Sequence, residues 1–290
     1  MNGFSMAFSV VCPLFLMMAL GYFLQHVGLF TKEFLRQLNQ LCFRVFFPCI
    51  LFINIYDSDF STAFRPKLIL FALLSVLVLF LVMMALIPKV TPDDRRRGVL
   101  VQGIVRSNFV LFGLPIVSTL FGPDQVGTAA VLIAFVVPVF NLVSVVTLET
   151  FRGGKFSIRR IVSGVVTNPL IIAALVAFLF VLSGLRLPEV VEHTVRDISK
   201  ITTPLSLIVL GASFSFSSMW GNRKALAWAV SARLLLIPLF FLSIAIALGF
   251  RGVALGALLS MFASPTAVGT FTMAQQVDAD SELAGQIVAI

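Results

Sequence analysis

The chain has 290 residues, of which 59% are hydrophobic and only 12% are charged, and its mean hydropathy is +1.05. A water-soluble domain of this length could not bury so much apolar surface, so the composition excludes a soluble globular protein. The net charge of +8 is not interpreted as a nucleic-acid footprint, and no nucleic-acid partner is expected. In a membrane protein, basic residues concentrate in the cytoplasmic loops and report the orientation of the chain.

The apolar stretches predict an all-α polytopic membrane protein. A helix needs about 20 mostly apolar residues to cross a bilayer. Ten stretches are candidate spans, at roughly 5–24, 38–56, 67–87, 99–121, 126–148, 161–183, 198–216, 224–248, 252–275 and from 281 onward. The last stretch is too short to cross a bilayer before Ile290, so either the sequence stops inside a tenth helix, as we expect, or this stretch is not a span. The first span lacks a preceding Lys or Arg, so we expect it to be retained rather than cleaved as a signal peptide.

The distribution of basic residues predicts the orientation. The odd-numbered connections between spans hold thirteen Lys and Arg residues, and the even-numbered connections hold six. The positive-inside rule then places the odd connections in the cytoplasm and the N-terminus outside. We expect a multi-pass protein of the bacterial inner (plasma) membrane in this orientation.

Proline and glycine positions indicate an internal repeat. At an offset of 156 residues three landmarks coincide, namely Pro13-Leu14 with Pro169-Leu170, Gly28-Leu29 with Gly184-Leu185, and Pro48 with Pro204. Further along the chain, Pro115 coincides with Pro265 at an offset of 150. Because each copy holds an odd number of spans, the second copy enters the membrane from the opposite face, as in secondary carriers. We predict repeats at 1–148 (spans 1–5) and 161–290 (spans 6–10), joined by a short cytoplasmic linker at 149–160.

Spans 4 and 9 carry the pattern of broken helices, and we expect the breaks around Pro115 and Pro265. Proline removes a backbone donor and clashes with an earlier carbonyl, and a nearby glycine lets the chain open. Two breaks that meet near the midplane would direct two positive helix N-termini at one point, which suits an anion. The alternative is that the prolines and glycines are kinks with packing value only. The candidate substrate-binding residues are Asn108, Gly113, Pro115, Ser264, Pro265, Thr266, Gly269 and Arg106.

Two arginines and one asparagine within the spans have competing interpretations. Asn108 could donate to a carboxylate, or could be a polar contact between helices. Arg106 and Arg233 could bind an anion, or could extend toward the cytoplasmic surface. Since no Asp or Glu lies mid-span, a buried carboxylate proton relay is disfavoured, whereas sodium held by carbonyls and hydroxyls stays open.

Other function classes receive no support from the sequence. Cys12, Cys42 and Cys49 lack metal-ligand spacing, and we interpret them as packing residues, so no metal site is expected. No nucleotide-binding loop, zinc motif or nucleophile elbow is present, so no catalytic residue and no cofactor is predicted. A channel would favour a continuous polar ring rather than paired broken helices.

At these motifs the chain resembles the auxin efflux carrier family, whose fold is related to that of the bile acid/sodium symporters. The resemblance extends over nearly the whole chain. The matching segments are Arg106-Ser-Asn108, Gly113-Leu-Pro115, Asn168-Pro169-Leu170, Pro204 with Leu210-Gly211, and Pro265-Thr-Ala-Val with Ala274-Gln275-Gln276.

The resemblance implies an elevator-type carrier with crossed broken helices 4 and 9 around the substrate. Helices 1, 2, 6 and 7 would form a scaffold that joins a homodimer, and helices 3–5 and 8–10 would move. Asn108 matches the asparagine before the crossover in plant members, which implies a substrate role. The short linker at 149–160 and Gln275, where plant members tend to have lysine, favour a small organic anion such as a dicarboxylate over auxin. The alternative is a sodium-coupled symporter for a larger, steroid-like acid.

Overall fold

The computed structural model describes residues 3–58, 64–152, 157–215 and 219–290, with the side chains of 3–7 and 9–10 left out. Parts of the predicted 57–66 loop and of the predicted 149–160 linker therefore lie outside the described residues. Within the described residues, the structure has fifteen α-helices and no named strand. They are α1 (Gly3–His26), α2 (Lys32–Leu41), α3 (Phe47–Tyr56), α4 (Pro66–Val90), α5 (Asp94–Val105), α6 (Phe109–Phe121), α7 (Gly127–Phe151), α8 (Ile158–Val166), α9 (Pro169–Ser183), α10 (Glu189–Ala212), α11 (Met219–Ser231), α12 (Ile237–Ala247), α13 (Gly252–Ala263), α14 (Gly269–Gln276) and α15 (Ser281–Ala289).

The all-α membrane architecture is confirmed. Among the described residues, four continuous helical stretches are long and apolar enough to cross a membrane: Lys32–Tyr56, Pro66–Val90, Pro123–Phe151 and Met219–Ala247. A fifth results if α8 and α9, which are bent by 53°, form one span. Because breaks divide other predicted spans into short helices, length alone does not establish ten crossings, and ten remains a prediction.

Two of the long helical stretches contain a π-helical turn that ends two residues before a proline. The turn at Cys42–Phe46 joins α2 to α3 and precedes Pro48, and the turn at Ala232–Leu236 joins α11 to α12 and precedes Pro238. A proline ring clashes with the carbonyl four residues earlier, and a wider turn relieves this clash without ending the helix. The second π turn contains Arg233.

Asn168 and Pro169 form the start of helix α9. The Asn168 side chain accepts a hydrogen bond from the backbone N–H of Leu170 at 2.9 Å, and Pro169 is the first residue of α9. This arrangement satisfies one free donor of the helix start, while proline has no N–H to satisfy. Gly28 and Gly184 coincide in the predicted internal repeat. Both have positive φ, and they follow the ends of α1 and α9.

The helices pack in two groups. In the first group, α10 packs along α1 and against α3, and α3 also packs against α9. In the second group, α4, α5 and α7 pack together, and α6 packs on α13. In the same group, α12 packs against α13, and α15 packs against α14. The first group contains the helices that the resemblance assigns to a scaffold. Contacts with the second group include those of α7 with α3, α8 and α9, and those of α10 with α14.

Two glycines allow α1 and α10 to approach closely. A Cβ atom on Gly211 would lie 1.9 Å from the carbonyl oxygen of Met18. A Cβ atom on Gly21 would lie 2.0 Å from the carbonyl oxygen of Ile208. In a membrane, helix association depends on van der Waals packing, which such small residues permit.

An ion-pair cluster joins the end of α3 to the start of α10. Arg196 contacts Asp57 at 2.6 Å and Glu192 at 2.7 Å, and Tyr56 donates to Glu192 at 3.2 Å. The hydrogen bond from Arg196 lowers the pKa of the Glu192 carboxyl. Because the cluster is solvent-accessible, we expect it to contribute little to stability.

Candidate functional site

The candidate site is built where two broken helices cross. The chain is extended between α5 and α6 and again between α13 and α14, and Ser107 pairs with Thr266 in an antiparallel bridge. The backbone N–H of Asn108 donates to the carbonyl of Pro265 at 2.8 Å. Four helix ends therefore meet at one place: the C-termini of α5 and α13 and the N-termini of α6 and α14.

The break in the fourth span lies earlier than the sequence predicted. Gly113 and Pro115 lie inside the continuous helix α6, whereas the helix is interrupted at Arg106–Asn108. A Cβ atom on Gly113 would lie 2.7 Å from the Phe109 ring, so this glycine is required for packing. The prediction of a break at Pro115 is wrong because one missing donor is tolerated within a helix, whereas the extended segment obtains its backbone partner from Pro265.

Side chains connect the two extended segments to the opposite broken helix. Ser107 donates to the carbonyl of Met261 at 2.6 Å, and Thr266 donates to the carbonyl of Gly103 at 2.6 Å. The Gln102 amide donates to the carbonyl of Thr270 at 3.2 Å. These reciprocal bonds satisfy backbone groups that a broken helix leaves open inside the protein.

Arg233 lies inside the crossover and does not extend to the membrane surface. Its side chain is 2% exposed. It donates to Met261 at 2.9 Å and to Ser264 at 3.0 Å, and makes longer contacts with Ile104 at 3.3 Å and Val105 at 3.4 Å. All four acceptors are backbone carbonyls at the C-terminal ends of α5 and α13. The surface-extension interpretation of this residue is therefore wrong.

Arg106 is also buried, at 6% exposure, but its surroundings differ. One guanidinium nitrogen contacts the sulfur of Met273, and another lies beside the first residue of α14, where a Cβ on Gly269 would be 2.8 Å away. Among the described residues, no ion pair involves Arg106. The surface-extension interpretation is wrong here too, and the guanidinium charge lies next to the positive end of a helix.

A small cavity of about 70 Å³, which we call the crossover cavity, lies between the crossover and the first group of helices. Its polar lining comes from both sides: Asn54, Thr203 and Ser206 from the first group, and Arg106, Ser107, Asn108, Asn141 and Gly269 from the second. Apolar side chains such as Phe47, Phe140 and Val268 complete the wall.

Two asparagine side chains in this lining have hydrogen-bonding groups that are available to a ligand. Asn108 occupies the N-cap of α6, where an asparagine usually bonds the first turn, yet it makes no side-chain cap bond. Asn141 is 2% exposed, and its side-chain oxygen has no hydrogen-bond partner among the described residues. The sequence analysis did not identify Asn141 or Asn54 as candidate site residues, although a side-chain amide within an apolar span indicates a functional or interhelical contact.

The predicted site residues divide into three classes. Arg106, Asn108 and Gly269 line the crossover cavity. Ser264, Pro265 and Thr266 form the adjacent extended segment and bond within the crossover. Gly113 and Pro115 are absent from the cavity lining within the described structure.

A larger cavity of about 490 Å³, which we call the vestibule, lies between the same two groups of helices. Its lining includes Arg44, Glu149, Asn168 and Gln276, together with Met273. Met273 also contacts Arg106, which lines the crossover cavity.

Comparison with known proteins identifies the family. A family model described as "membrane transport protein", the auxin efflux carrier family, matches residues 6–290. The chain belongs to this family of membrane transporters. It is also similar to an uncharacterized transporter of Methanothermobacter thermautotrophicus, with 24% identity over 96% of this chain and 91% of that protein.

In this member of the auxin efflux carrier family, the matched range of residues 6–290 covers both broken helices and the crossover. The resemblance seen in the sequence motifs is thus confirmed at the level of the family. The described residues contain no cluster of three or more His, Cys, Asp and Glu side chains that could hold a metal ion.

Proposed function

We propose that the protein is a secondary transporter that moves a small organic anion across the membrane and binds its carboxylate in the crossover cavity. The observation that carries this proposal is Arg106, a buried guanidinium with no ion-pair partner among the described residues. A buried charge without a partner is costly, and in a membrane protein it marks a substrate or ion pathway.

The electrostatics of the crossover support an anion. Arg106 and the N-terminus of α14 place positive charge on the same volume, and the N-terminus of α6 begins directly after Asn108. Each helix N-terminus carries roughly half a positive charge, and its first-turn amides have no acceptor within the helix. A carboxylate would accept from the Arg106 guanidinium and the Asn108 amide, while the Asn141 oxygen would accept from a donor on the substrate.

The size of the site favours a small substrate. Pockets for drug-sized ligands have volumes of about 300–1,000 Å³, whereas the crossover cavity has about 70 Å³. A short mono- or dicarboxylate fits this space better than the steroid-like acid of the sodium-coupled alternative. Tracer uptake with and without sodium, using short dicarboxylates and a bile acid in parallel, separates the two.

An elevator mechanism is supported by the position of the site. The crossover cavity lies at the boundary between the two packed groups of helices, and both groups contribute polar residues to it. Movement of α4–α7 and α11–α15 against α1–α3 and α8–α10 would carry the site across the membrane. The paired positive-φ glycines support the inverted repeats at 1–148 and 161–290. A homodimer through the scaffold helices belongs to the same proposal.

Replacement of Asn108 by Ala tests the proposed site. We expect the affinity for the carboxylate substrate to fall by about 1.5–3 kcal/mol, or roughly tenfold to a hundredfold, because one hydrogen bond to a charged group is lost. The substrate is first found by thermal-shift screening of the purified protein against small mono- and dicarboxylates. Affinity is then measured by calorimetry on both proteins.

The control for this test is Asn222→Ala. Asn222 accepts from Arg96 at 2.7 Å and donates to Gln286 at 2.8 Å, and it does not line the crossover cavity. Its replacement should lower the melting temperature without changing substrate affinity. An Asn108→Ala protein that folds normally and binds with wild-type affinity would remove Asn108 from the site.

Cysteine labelling tests the orientation in the bacterial inner membrane. In a background with the three native cysteines replaced, Arg65→Cys should react with an impermeant reagent in intact cells, because position 65 lies in an even, external connection. Asp94→Cys should react only after the cells are opened. Labelling of position 94 in intact cells would reverse the proposed orientation.

A further inference from the structure

Arg233 lies among negative partial charges rather than beside an acidic side chain. Its four acceptors are carbonyls at the ends of two helices that both terminate inside the protein. Each helix C-terminus carries roughly half a negative charge. The two termini together therefore offer about one negative charge, which the single guanidinium balances.

Such a set of carbonyls is a cation site in chemical terms. In carriers with broken helices, unwound carbonyls and half-helix C-termini are the groups that coordinate a monovalent coupling ion. A planar guanidinium has five N–H donors in a fixed arrangement, so it can bond several carbonyls from two helices at once. Arg233 reaches these carbonyls from a third element, the π turn between α11 and α12.

We propose that Arg233 is a built-in cation of the crossover, which occupies the position where a monovalent metal ion would bind between the C-termini of α5 and α13. It balances these two ends permanently, so binding of the anion does not require sodium there. Arg106 and the two N-termini are then left to bind the substrate. The consequence for transport rests on the proposed function, whereas the cation site itself can be tested without substrate.

Chemical rescue of Arg233→Ala is the decisive experiment. The variant removes the guanidinium but keeps the carbonyls, so its melting temperature in detergent should fall well below that of the wild type. Millimolar guanidinium chloride should recover most of this loss, because the free cation binds the folded state at the vacated carbonyls. Choline chloride at the same ionic strength should recover none of it. Arg196→Ala removes a solvent-accessible guanidinium, and guanidinium chloride should raise the melting temperature of this variant no more than choline chloride does.

Two further variants keep the test decisive if Arg233→Ala does not fold. Arg233→Lys retains the positive charge and should yield a folded protein, whereas Arg233→Gln retains hydrogen bonding without charge and should be clearly less stable. Equal melting temperatures for these two variants would overturn the proposal, because charge would then be irrelevant. An Arg233→Ala protein that melts like the wild type, or one that guanidinium fails to stabilise, would overturn it as well.

The sodium measurement completes the test. The wild-type melting temperature without substrate should be the same in sodium chloride and in choline chloride. If a carboxylate substrate is found, its affinity should also be the same in both salts. A sodium-dependent shift of either quantity in the wild type would contradict the built-in cation. Failure to find any carboxylate ligand would count against the proposed function and would leave the rescue result unaffected.

Discussion

Replacement of Arg106 by Gln is expected to reduce the affinity for the anionic substrate by about 2–5 kcal/mol, or roughly 30-fold to 4,000-fold. The substitution removes the positive charge that faces the crossover cavity, and the bound carboxylate then loses its only ion-pair partner among the described lining residues. Arg106→Lys retains the charge but loses the planar fork, so it should bind more weakly than the wild type and more tightly than Arg106→Gln. Calorimetry with the purified proteins measures all three affinities.

The stability of the substrate-free protein distinguishes this role from a structural one. Because Arg106 has no ion-pair partner in the described structure, its charge opposes folding, and Arg106→Gln should melt at the same temperature as the wild type or higher. The matched control is Arg196→Gln, which breaks the exposed cluster with Asp57 and Glu192 and should leave substrate affinity unchanged. Wild-type affinities for both Arg106 variants would exclude this residue from the site.

Replacement of Gly211 by Ala should destabilise the protein by about 1–3 kcal/mol, the usual cost of overpacking. The added Cβ would lie 1.9 Å from the carbonyl oxygen and 2.7 Å from the Cα of Met18. These are backbone atoms and cannot move aside by a rotamer change, so α1 and α10 must separate along their length. The melting temperature in detergent measures the effect, and Gly21→Ala should have a similar one because it faces Ile208 in the same way.

Gly221→Ala is the control for this pair. Among the described residues, no heavy atom lies within 4 Å of a Cβ placed on Gly221, which is in α11. Alanine at such a helical position is favoured over glycine by about 0.5–1 kcal/mol, so the control should melt at the wild-type temperature or above. If Gly211→Ala has the same melting temperature as Gly221→Ala, the close contact between α1 and α10 does not contribute to stability.

Several features of this protein follow from local sequence alone. The long continuous apolar stretches predict an all-α membrane protein, because a helix satisfies its backbone hydrogen bonds within a single segment. Asn168-Pro169 starts a helix because both residues act on the first turn that follows them. Arg106, Asn108 and Gly269 were identified as candidates because polar and glycine residues are conspicuous within apolar spans, and the structure places all three at one cavity.

Tertiary structure decided the features that depend on distant partners. The break is at Arg106–Asn108, and Pro115 remains helical, because the open backbone is stable only where Pro265 supplies an acceptor. Likewise, Arg233 is buried because carbonyls from two other helices surround it. Local sequence determines which groups need a partner, whereas only the packed chain determines which groups are close enough to be that partner.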